Sequence, residues 1–121
     1  MTIVNFSLIL LNTLILVSGQ FLWKYGLQAT TPNFSSLISV LKLFLSPYII
    51  FGLGLYGFAT ILWLFILTRV PLSVAYPIQS IAYVLSVFGA YFVFNEPLSV
   101  SKILGCIIIM AGVSLIGFSN S

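Results

Sequence analysis

The sequence predicts an all-α membrane protein with four transmembrane helices and a short interfacial helix between helices 1 and 2. Of its 121 residues, 61% are hydrophobic and only 4% are charged, against roughly 25% charged residues in a soluble domain. Four apolar segments each approach the ~20 residues that cross a bilayer. They lie at about residues 3–24, 47–68, 71–94 and 98–118. The chain, residues 1–121, is therefore expected to form a single transmembrane domain.

The few charges stand singly at the ends of the apolar segments. The cations are Lys24, Lys42, Arg69 and Lys102, and Glu96 is the sole acid, which gives a net charge of +3. Scattered cations do not form the basic patch of a nucleic-acid-binding protein. The chain has no histidine and one cysteine, so we expect neither a metal site nor an internal disulfide. Cys106 lies in an apolar run and is expected to be a packing residue.

Helix 1 is predicted from Ile3 to Lys24. The segment lacks a basic start and a small-residue cleavage site, so we expect a retained helix rather than a signal peptide. Gln20 precedes Lys24 by one turn on the same face, and Gly19 beside it allows another helix to approach. Two interpretations of Lys24 stay open. It anchors the helix end at the headgroups, or it forms an anion site together with Gln20.

After helix 1 the apolar run is interrupted by Gly26, Pro32 and Asn33. It resumes for only about 13 mixed residues, too few to span a bilayer, so the segment is predicted to form the interfacial helix.

Helix 2 is predicted to begin at Pro47, a favourable first-turn residue. Its Gly52 and Gly57 would allow close packing. Tyr56, Thr60 and Trp63 share one of its faces. That face either lines a transport path or packs within the bundle.

Helix 3 carries the most informative pattern in the chain. The short turn from Thr68 to Pro71, which contains Arg69, forces helices 2 and 3 into an antiparallel hairpin. Four polar side chains then recur at helical spacing on one face of helix 3, namely Tyr76, Gln79, Ser80 and Tyr83. Polar side chains within a membrane normally face other helices or a water-filled cavity, so this face is the candidate lining of a transport path. Pro77 is expected to bend the helix.

The turn from Asn95 to Pro97 leads into helix 4. Gly105 and Gly112 are seven residues apart on one face of that helix and leave a groove, which predicts an oligomer contact. By the positive-inside rule the two long loops are cytoplasmic and the termini lie outside. The bias is as small as one charge if Lys24 belongs to the span, so insertion in both orientations stays open.

Short motifs recur in a fixed order along the chain. They are GQFLWK at residues 19–24, AYPIQS at 75–80, NEPLS at 95–99, and the pair Gly105 and Gly112 followed by Val113. This series resembles a small multidrug resistance or EamA-type unit of the drug/metabolite transporter superfamily. The resemblance covers nearly the whole chain and implies a four-helix transporter that works as a dimer.

The resemblance has one informative departure. Proton-coupled multidrug members of this group carry a glutamate three residues before the helix 1 glycine, and Leu16 stands at that position here. Without that carboxylate the resemblance does not imply exchange of protons for a cationic drug. Glu96, in a turn, lies too far from the midplane to replace it.

The chain resembles more closely the small paired subunits that flip aminoarabinose-phosphate on undecaprenol in bacterial inner membranes. The matching residues are Gly19, Gln20, Lys24, Val70, Pro71, Ala75, Tyr76, Pro77, Ser80, Glu96 and Pro97. The resemblance implies a multi-pass inner-membrane flippase for a polyprenyl-phosphate-linked sugar. Lys24 and Arg69 would then meet the phosphate at the two membrane faces, and hydroxyls and amides would bind the sugar.

The predicted substrate-binding set is Gln20, Lys24, Trp63, Arg69, Tyr76, Gln79, Ser80 and Tyr83. We expect no catalytic residue and no cofactor. The partners expected are a membrane lipid and either a second copy, in a parallel or an antiparallel dimer, or a homologous four-helix chain. Two other functions stay open, an exporter of small metabolites or drugs that lacks the helix 1 glutamate, and an accessory subunit of a larger membrane complex.

Overall fold

The computed structural model describes residues 3–30 and 35–118, and their regular secondary structure is helical. The helices are α1 (Ile3–Thr30), α2 (Leu37–Leu43), α3 (Pro47–Leu67), α4 (Leu72–Gln79), α5 (Ile81–Phe94) and α6 (Val100–Phe118). Four segments are long and apolar enough to cross a bilayer, with α4 and α5 together forming the third. The predicted all-α fold with four spans is confirmed, and α2 is the short helix expected between the first two.

The first helix is longer than the sequence indicated, because α1 continues past Lys24 to Thr30. Gly26 does not interrupt it. A Cβ at Gly26 would lie 2.8 Å from the Cβ of Tyr48, so the glycine lets the first turn of α3 pack closely against α1. The rings of Tyr25 and Tyr48 also meet edge to face, with centroids 4.9 Å apart. Pro32 and Asn33 lie outside the described residues.

Trp23 joins α1 to α3. Its indole N–H donates to the carbonyl of Ile49 at 3.1 Å, and its ring stacks on Tyr56 with centroids 5.2 Å apart. Between these two contacts a Cβ on Gly52 would collide with the indole ring. Gly52 therefore provides close packing as expected, whereas a Cβ on Gly57 would meet nothing within 4 Å. The indole holds α1 and α3 together as one unit.

The third span is interrupted at Ser80. Pro77 lies inside α4, which ends at Gln79, and α5 begins at Ile81. Pro77 has no N–H to donate, and the N–H and hydroxyl of Ser80 both donate to the Pro77 carbonyl. Where the sequence predicts a bend at Pro77, the structure has a break between two helices at Ser80, three residues after the proline.

The hydrophobic core lies at the end of the bundle that carries Arg69. Its buried members come from the first half of α1, the end of α3, the following turn, α4, the start of α5 and the second half of α6. They are Ile9, Ile66, Val70, Val74, Ala75, Ile78, Ile81 and Val113. Most of these residues belong to helix ends that meet on the Arg69 side, so the spans are packed together there. At the opposite end α1 and α5 leave a cleft between them.

Helix α6 forms the outer layer on one side of the bundle and packs against α4 and α5. Cys106 is buried there with 5% of its surface exposed, in keeping with a packing residue. A Cβ on either Gly105 or Gly112 would meet nothing within 4 Å, so both glycines face open space in the single chain.

The contact of Trp23 with Gly52 generates a stability prediction. Gly52→Ala is expected to destabilise the protein by about 1–3 kcal/mol, because the new methyl group overlaps the indole and must push the helices apart. Thermal unfolding in detergent micelles measures the change.

Gly54→Ala is the matched control, since a Cβ there meets nothing within 4 Å. It should leave the melting temperature unchanged or raise it, because alanine favours a helix by up to about 1 kcal/mol over glycine. Equal melting temperatures for the two variants would show that Trp23 does not fix the spacing of α1 and α3.

Candidate functional site

A cleft of about 740 Å³ opens between α1 and the α4–α5 span. One face of α1 forms the first wall, with Leu16, Gln20 and Lys24 at four-residue intervals. The second wall is the inner face of α4 and α5, and α3 contributes Tyr56. The loop after α5 and the first turn of α6 form the mouth. The cleft therefore runs from the water boundary at Lys24 into the middle of the spans.

Six of the eight predicted substrate-binding residues line this cleft, namely Gln20, Lys24, Tyr76, Gln79, Ser80 and Tyr83. Trp63 lines a smaller adjoining chamber, and its ring meets that of Tyr76 edge to face at 6.3 Å. Arg69 is not brought to either cavity. It lies in the turn beyond the core, with its guanidinium 5.6 Å from the centre of the Phe65 ring.

The mouth of the cleft carries three of the chain's five ionisable Lys, Arg, Asp and Glu side chains. The Lys24 ammonium lies 3.9 Å from the Glu96 carboxylate, and both side chains are about half exposed at 51% and 41%. Lys102 donates from its ammonium to the Pro97 carbonyl at 2.8 Å. An exposed pair of this kind contributes only about 0–1 kcal/mol, so an incoming anion can replace Glu96 at Lys24 at little cost.

The backbone before α6 determines where Glu96 lies. Asn95 ends α5 in the left-handed conformation, with φ of 56°. Asparagine is one of the few residues that adopt this conformation readily. The Glu96 N–H then donates back to the Ala90 carbonyl at 3.2 Å, and this tight turn brings the carboxylate over the cleft.

Several residues of the cleft were not foreseen from the sequence. Glu96 and Lys102 belong to its mouth, and Ser86 and Phe21 to its walls. Tyr56 lies in the wall as well; it belongs to the helix 2 face for which lining a path was one of the two expectations. A Cβ on Gly89 would collide with the Phe21 ring, so this glycine sets how closely α1 and α5 approach. The NEP turn signalled a loop but not its contact with Lys24, because the pairing depends on how the spans pack.

The smaller chamber, of about 130 Å³, shares Leu16, Tyr56 and Gln79 with the main cleft. It extends the cleft inward, and Asn12, Thr60 and Trp63 complete its lining with Ala59. Asn12 is fully buried. It stands four residues before Leu16 on the face that continues to Gln20 and Lys24, and this four-residue spacing was the signal that could have found it.

The chemistry of the cleft is that of binding polar groups. Within the described residues no cluster of three His, Cys, Asp or Glu side chains exists that could hold a metal ion. Among the lining residues the one carboxylate is Glu96 at the mouth, and the apolar Leu16 lies in the wall. Hydroxyls and amides line the interior, so the cleft suits a ligand with an anionic end and a polar body that forms hydrogen bonds.

Comparison with protein families gives a match to the EamA-like transporter family over residues 41–118. The chain belongs to the EamA-like transporter family. Four spans in a transporter of this family make it a multi-pass protein of the bacterial inner membrane.

Individual relatives of this EamA-like chain carry a more specific name. It is 36% identical over 113 residues to the probable 4-amino-4-deoxy-L-arabinose-phosphoundecaprenol flippase subunit ArnE of Erwinia tasmaniensis, covering 93% of this chain and 96% of that protein. It is 33% identical to the corresponding probable subunit ArnF of Shewanella sediminis, with 87% and 81% covered.

The ArnE protein of Pseudomonas fluorescens is 39% identical over 72 residues, or 60% of this chain. That match spans 63% of the relative, and a similar one to ArnE of an Enterobacter species spans 62%. No solved structure matches the chain. The family predicted from the motifs is thus confirmed.

The cleft predicts a pattern of chemical accessibility. In a Cys106→Ala background, a cysteine at Ser86 should react with a water-soluble maleimide, because a thiol becomes reactive as a thiolate in water. Labelling in native membranes, read as a mass shift, measures it.

A cysteine at Ile108 is the depth-matched control. Ser86 precedes the end of α5 by eight residues and Ile108 follows the start of α6 by eight, so both lie about 12 Å from the same membrane face. Ile108 is 71% exposed on the outer surface and lines neither cavity, so it should stay unlabelled. Equal labelling at the two positions would mean that the cleft does not admit water.

Proposed function

We propose that this chain is a subunit of a flippase that moves a polyprenyl-phosphate-linked sugar across the bacterial inner membrane, without chemical change to the lipid. The observation that carries the proposal is the cleft itself. It combines a cation at headgroup depth, Lys24, with neutral hydrogen-bonding side chains that continue to Gln79 in the middle of the spans. The printed names of the ArnE and ArnF relatives support the same substrate class.

The energetics favour a lipid whose headgroup travels inside the cleft. Moving an ionised phosphate and a sugar through hydrocarbon is prohibitive, because each buried charge must be paired and each buried hydroxyl hydrogen-bonded. In the proposed binding step the phosphate replaces Glu96 at Lys24, and Gln20, Ser80 and Gln79 offer hydrogen bonds to the sugar. The polyprenyl chain needs no protein contact, since the bilayer solvates it.

One side of the cleft supports entry from the membrane. Tyr76 and Tyr83 line the cleft, yet each is 64% exposed in the single chain. Of α3, only Tyr56 reaches the cleft. This unflanked side gives a lipid headgroup a lateral route in, while its tail stays in the bilayer. Arg69 lies beyond the core and would meet the phosphate only on the opposite face of the membrane.

We further propose that α6 pairs the chain with a second copy or a homologous four-helix subunit. Its outer face presents Gly105 and Gly112 with open space around them, together with exposed Leu104 and Ile108. Small residues that let backbones approach closely are what drives helix association in lipid. The relatives are themselves named as subunits.

A second function has one observation in its favour. The volume of the cleft, about 740 Å³, falls within the range of pockets that hold a small soluble ligand. An exporter of small solutes would use the same hydroxyls and amides without a lipid tail. In proteoliposomes, flipping of 4-amino-4-deoxy-L-arabinose-phosphoundecaprenol together with no uptake of the free sugar supports the flippase. The reverse result supports the exporter.

Lys24→Met is expected to reduce translocation of that lipid at least tenfold, because the cleft then lacks the cation that binds the phosphate. Its expression level and melting temperature should stay near those of the wild type, since the lost ion pair contributes only about 0–1 kcal/mol. Flipping in proteoliposomes is the measurement.

Lys42→Met provides the control for loss of a positive charge. Lys42 lies in α2, which has no buried residue, and it lines neither cavity. This variant should flip at the wild-type rate. Equal translocation rates for Lys24→Met and Lys42→Met would show that Lys24 does not form an anion site.

Gly112→Leu is expected to weaken pairing at least tenfold, because the side chain fills the groove on α6. Gly117→Leu is its control. Gly117 also has open space around it but lies on a different face of the helix. Crosslinking between chains in membranes and the dimer fraction in detergent report the change. Undiminished crosslinking of Gly112→Leu would exclude this face as the contact.

A further inference from the structure

The chamber at the inner end of the cleft contains a polar group that the proposed binding step does not use. The side chain of Asn12 has 0% of its surface exposed, and neither its amide nitrogen nor its oxygen has a hydrogen-bond partner in the described chain. Buried amides are nearly always hydrogen-bonded, so an unsatisfied one needs an explanation. The neighbouring Thr13 shows the usual arrangement, since its hydroxyl donates to the Ile9 carbonyl at 2.8 Å.

The surroundings of Asn12 indicate what kind of group it is built to meet. Thr60 and Gln79 add a hydroxyl and an amide to the chamber, and Trp63 and Tyr56 add aromatic surface. Among the described residues, no lysine, arginine, aspartate or glutamate lines it. Neutral donors and acceptors beside aromatic rings suit a sugar ring, because they can hydrogen-bond its hydroxyl groups. The amide oxygens can also accept from an amino substituent, and the aromatic faces attract its cationic form, whereas an anion meets no counter-charge.

The distance along α1 separates this chamber from the phosphate site. Asn12 and Lys24 are twelve residues apart on one helix, or about 18 Å along its axis. The phosphate and sugar of one lipid headgroup are directly bonded and cannot span that distance. A headgroup bound at Lys24 therefore reaches Gln20 and Gln79 first, and it occupies the inner chamber only after its phosphate has left Lys24.

We infer that the chamber around Asn12 is a second subsite, which takes the sugar ring of the lipid-linked substrate midway through the membrane. The inference rests on the proposed function and adds to it the order of the binding steps. The phosphate is bound first at the mouth, and the sugar then moves inward, where the Asn12 amide and the Thr60 hydroxyl replace the hydrogen bonds that it gives up. Gln79 borders both cavities, so its amide can hydrogen-bond the sugar in either position.

The test is Asn12→Leu, which keeps the size of the side chain and removes its polar atoms. Since the amide has no partner in the described chain, the variant should melt at the wild-type temperature or above it. Its equilibrium affinity for 4-amino-4-deoxy-L-arabinose-phosphoundecaprenol should stay within twofold. The translocation rate in proteoliposomes should fall at least tenfold.

Three results would overturn the inference. A wild-type rate would mean that the chamber is not on the path, and a lowered melting temperature with a parallel loss of rate would mean that Asn12 is structural. A loss of affinity as large as the loss of rate would place Asn12 in the first binding site.

A second pair of variants tests the chamber independently, should Asn12→Leu fail to fold. Thr60→Val removes a hydroxyl of the chamber, and Thr68→Val removes one outside both cavities. The two are matched, because each hydroxyl donates within its own chain segment, Thr60 to the Tyr56 carbonyl at 2.9 Å and Thr68 to the Phe65 carbonyl at 2.6 Å. Only Thr60→Val should slow translocation, and equal rates for the two would count against the subsite.

Lys24→Met, measured alongside, distinguishes failure of the inner subsite from failure of the proposed function. If Lys24→Met blocks flipping and Asn12→Leu does not, the proposed function stands and the inner subsite fails. If neither variant affects flipping, the anion site of the proposed function fails as well.

Discussion

The packing of apolar side chains at one end of the bundle is the constraint on which the rest of the structure depends. Ile9, Ile66, Val74 and Val113 bring the ends of α1, α3, α4 and α6 together on the Arg69 side. In a bilayer, lipid covers apolar surface as well as protein does, so helices stay together only where their shapes fit. At the opposite end α1 stays packed on α3, and the cleft opens between α1 and the α4–α5 span.

The two walls of the cleft differ in construction. The α1 wall is fastened to α3 by Trp23, which bonds the Ile49 carbonyl and lies across Gly52. The facing wall is interrupted at Ser80, beside the core residue Ile78 and the cleft residue Gln79. A break in helical hydrogen bonding is where a span bends most easily. The break lies at the boundary between core and cleft, which is where one wall would have to bend for the cleft to change shape.

Charge is confined to the water boundaries, and the interior relies on neutral polar groups. Lys24, Glu96 and Lys102 meet at the mouth, and Arg69 lies at the far end beyond the core. An ionised group at the centre of the membrane is costly unless it is paired, whereas a hydroxyl or amide costs far less. This distribution lets the cleft bind a phosphate at headgroup depth and present only hydrogen-bonding groups farther in.

The sequence by itself determined the four spans, the family and the polar face of helix 3 that lines the cleft, because hydrophobic length and helical spacing are local properties. Tyr76, Gln79, Ser80 and Tyr83 share a face whatever surrounds them. Only the tertiary structure decided that Glu96 meets Lys24, that Arg69 lies outside both cavities, and that Asn12 is buried at the inner end of the cleft. These facts depend on which helix faces approach each other and at which end they pack. Contacts such as that of Trp23 with Gly52 set that geometry. They join residues far apart in the chain, so no local sequence pattern predicts them.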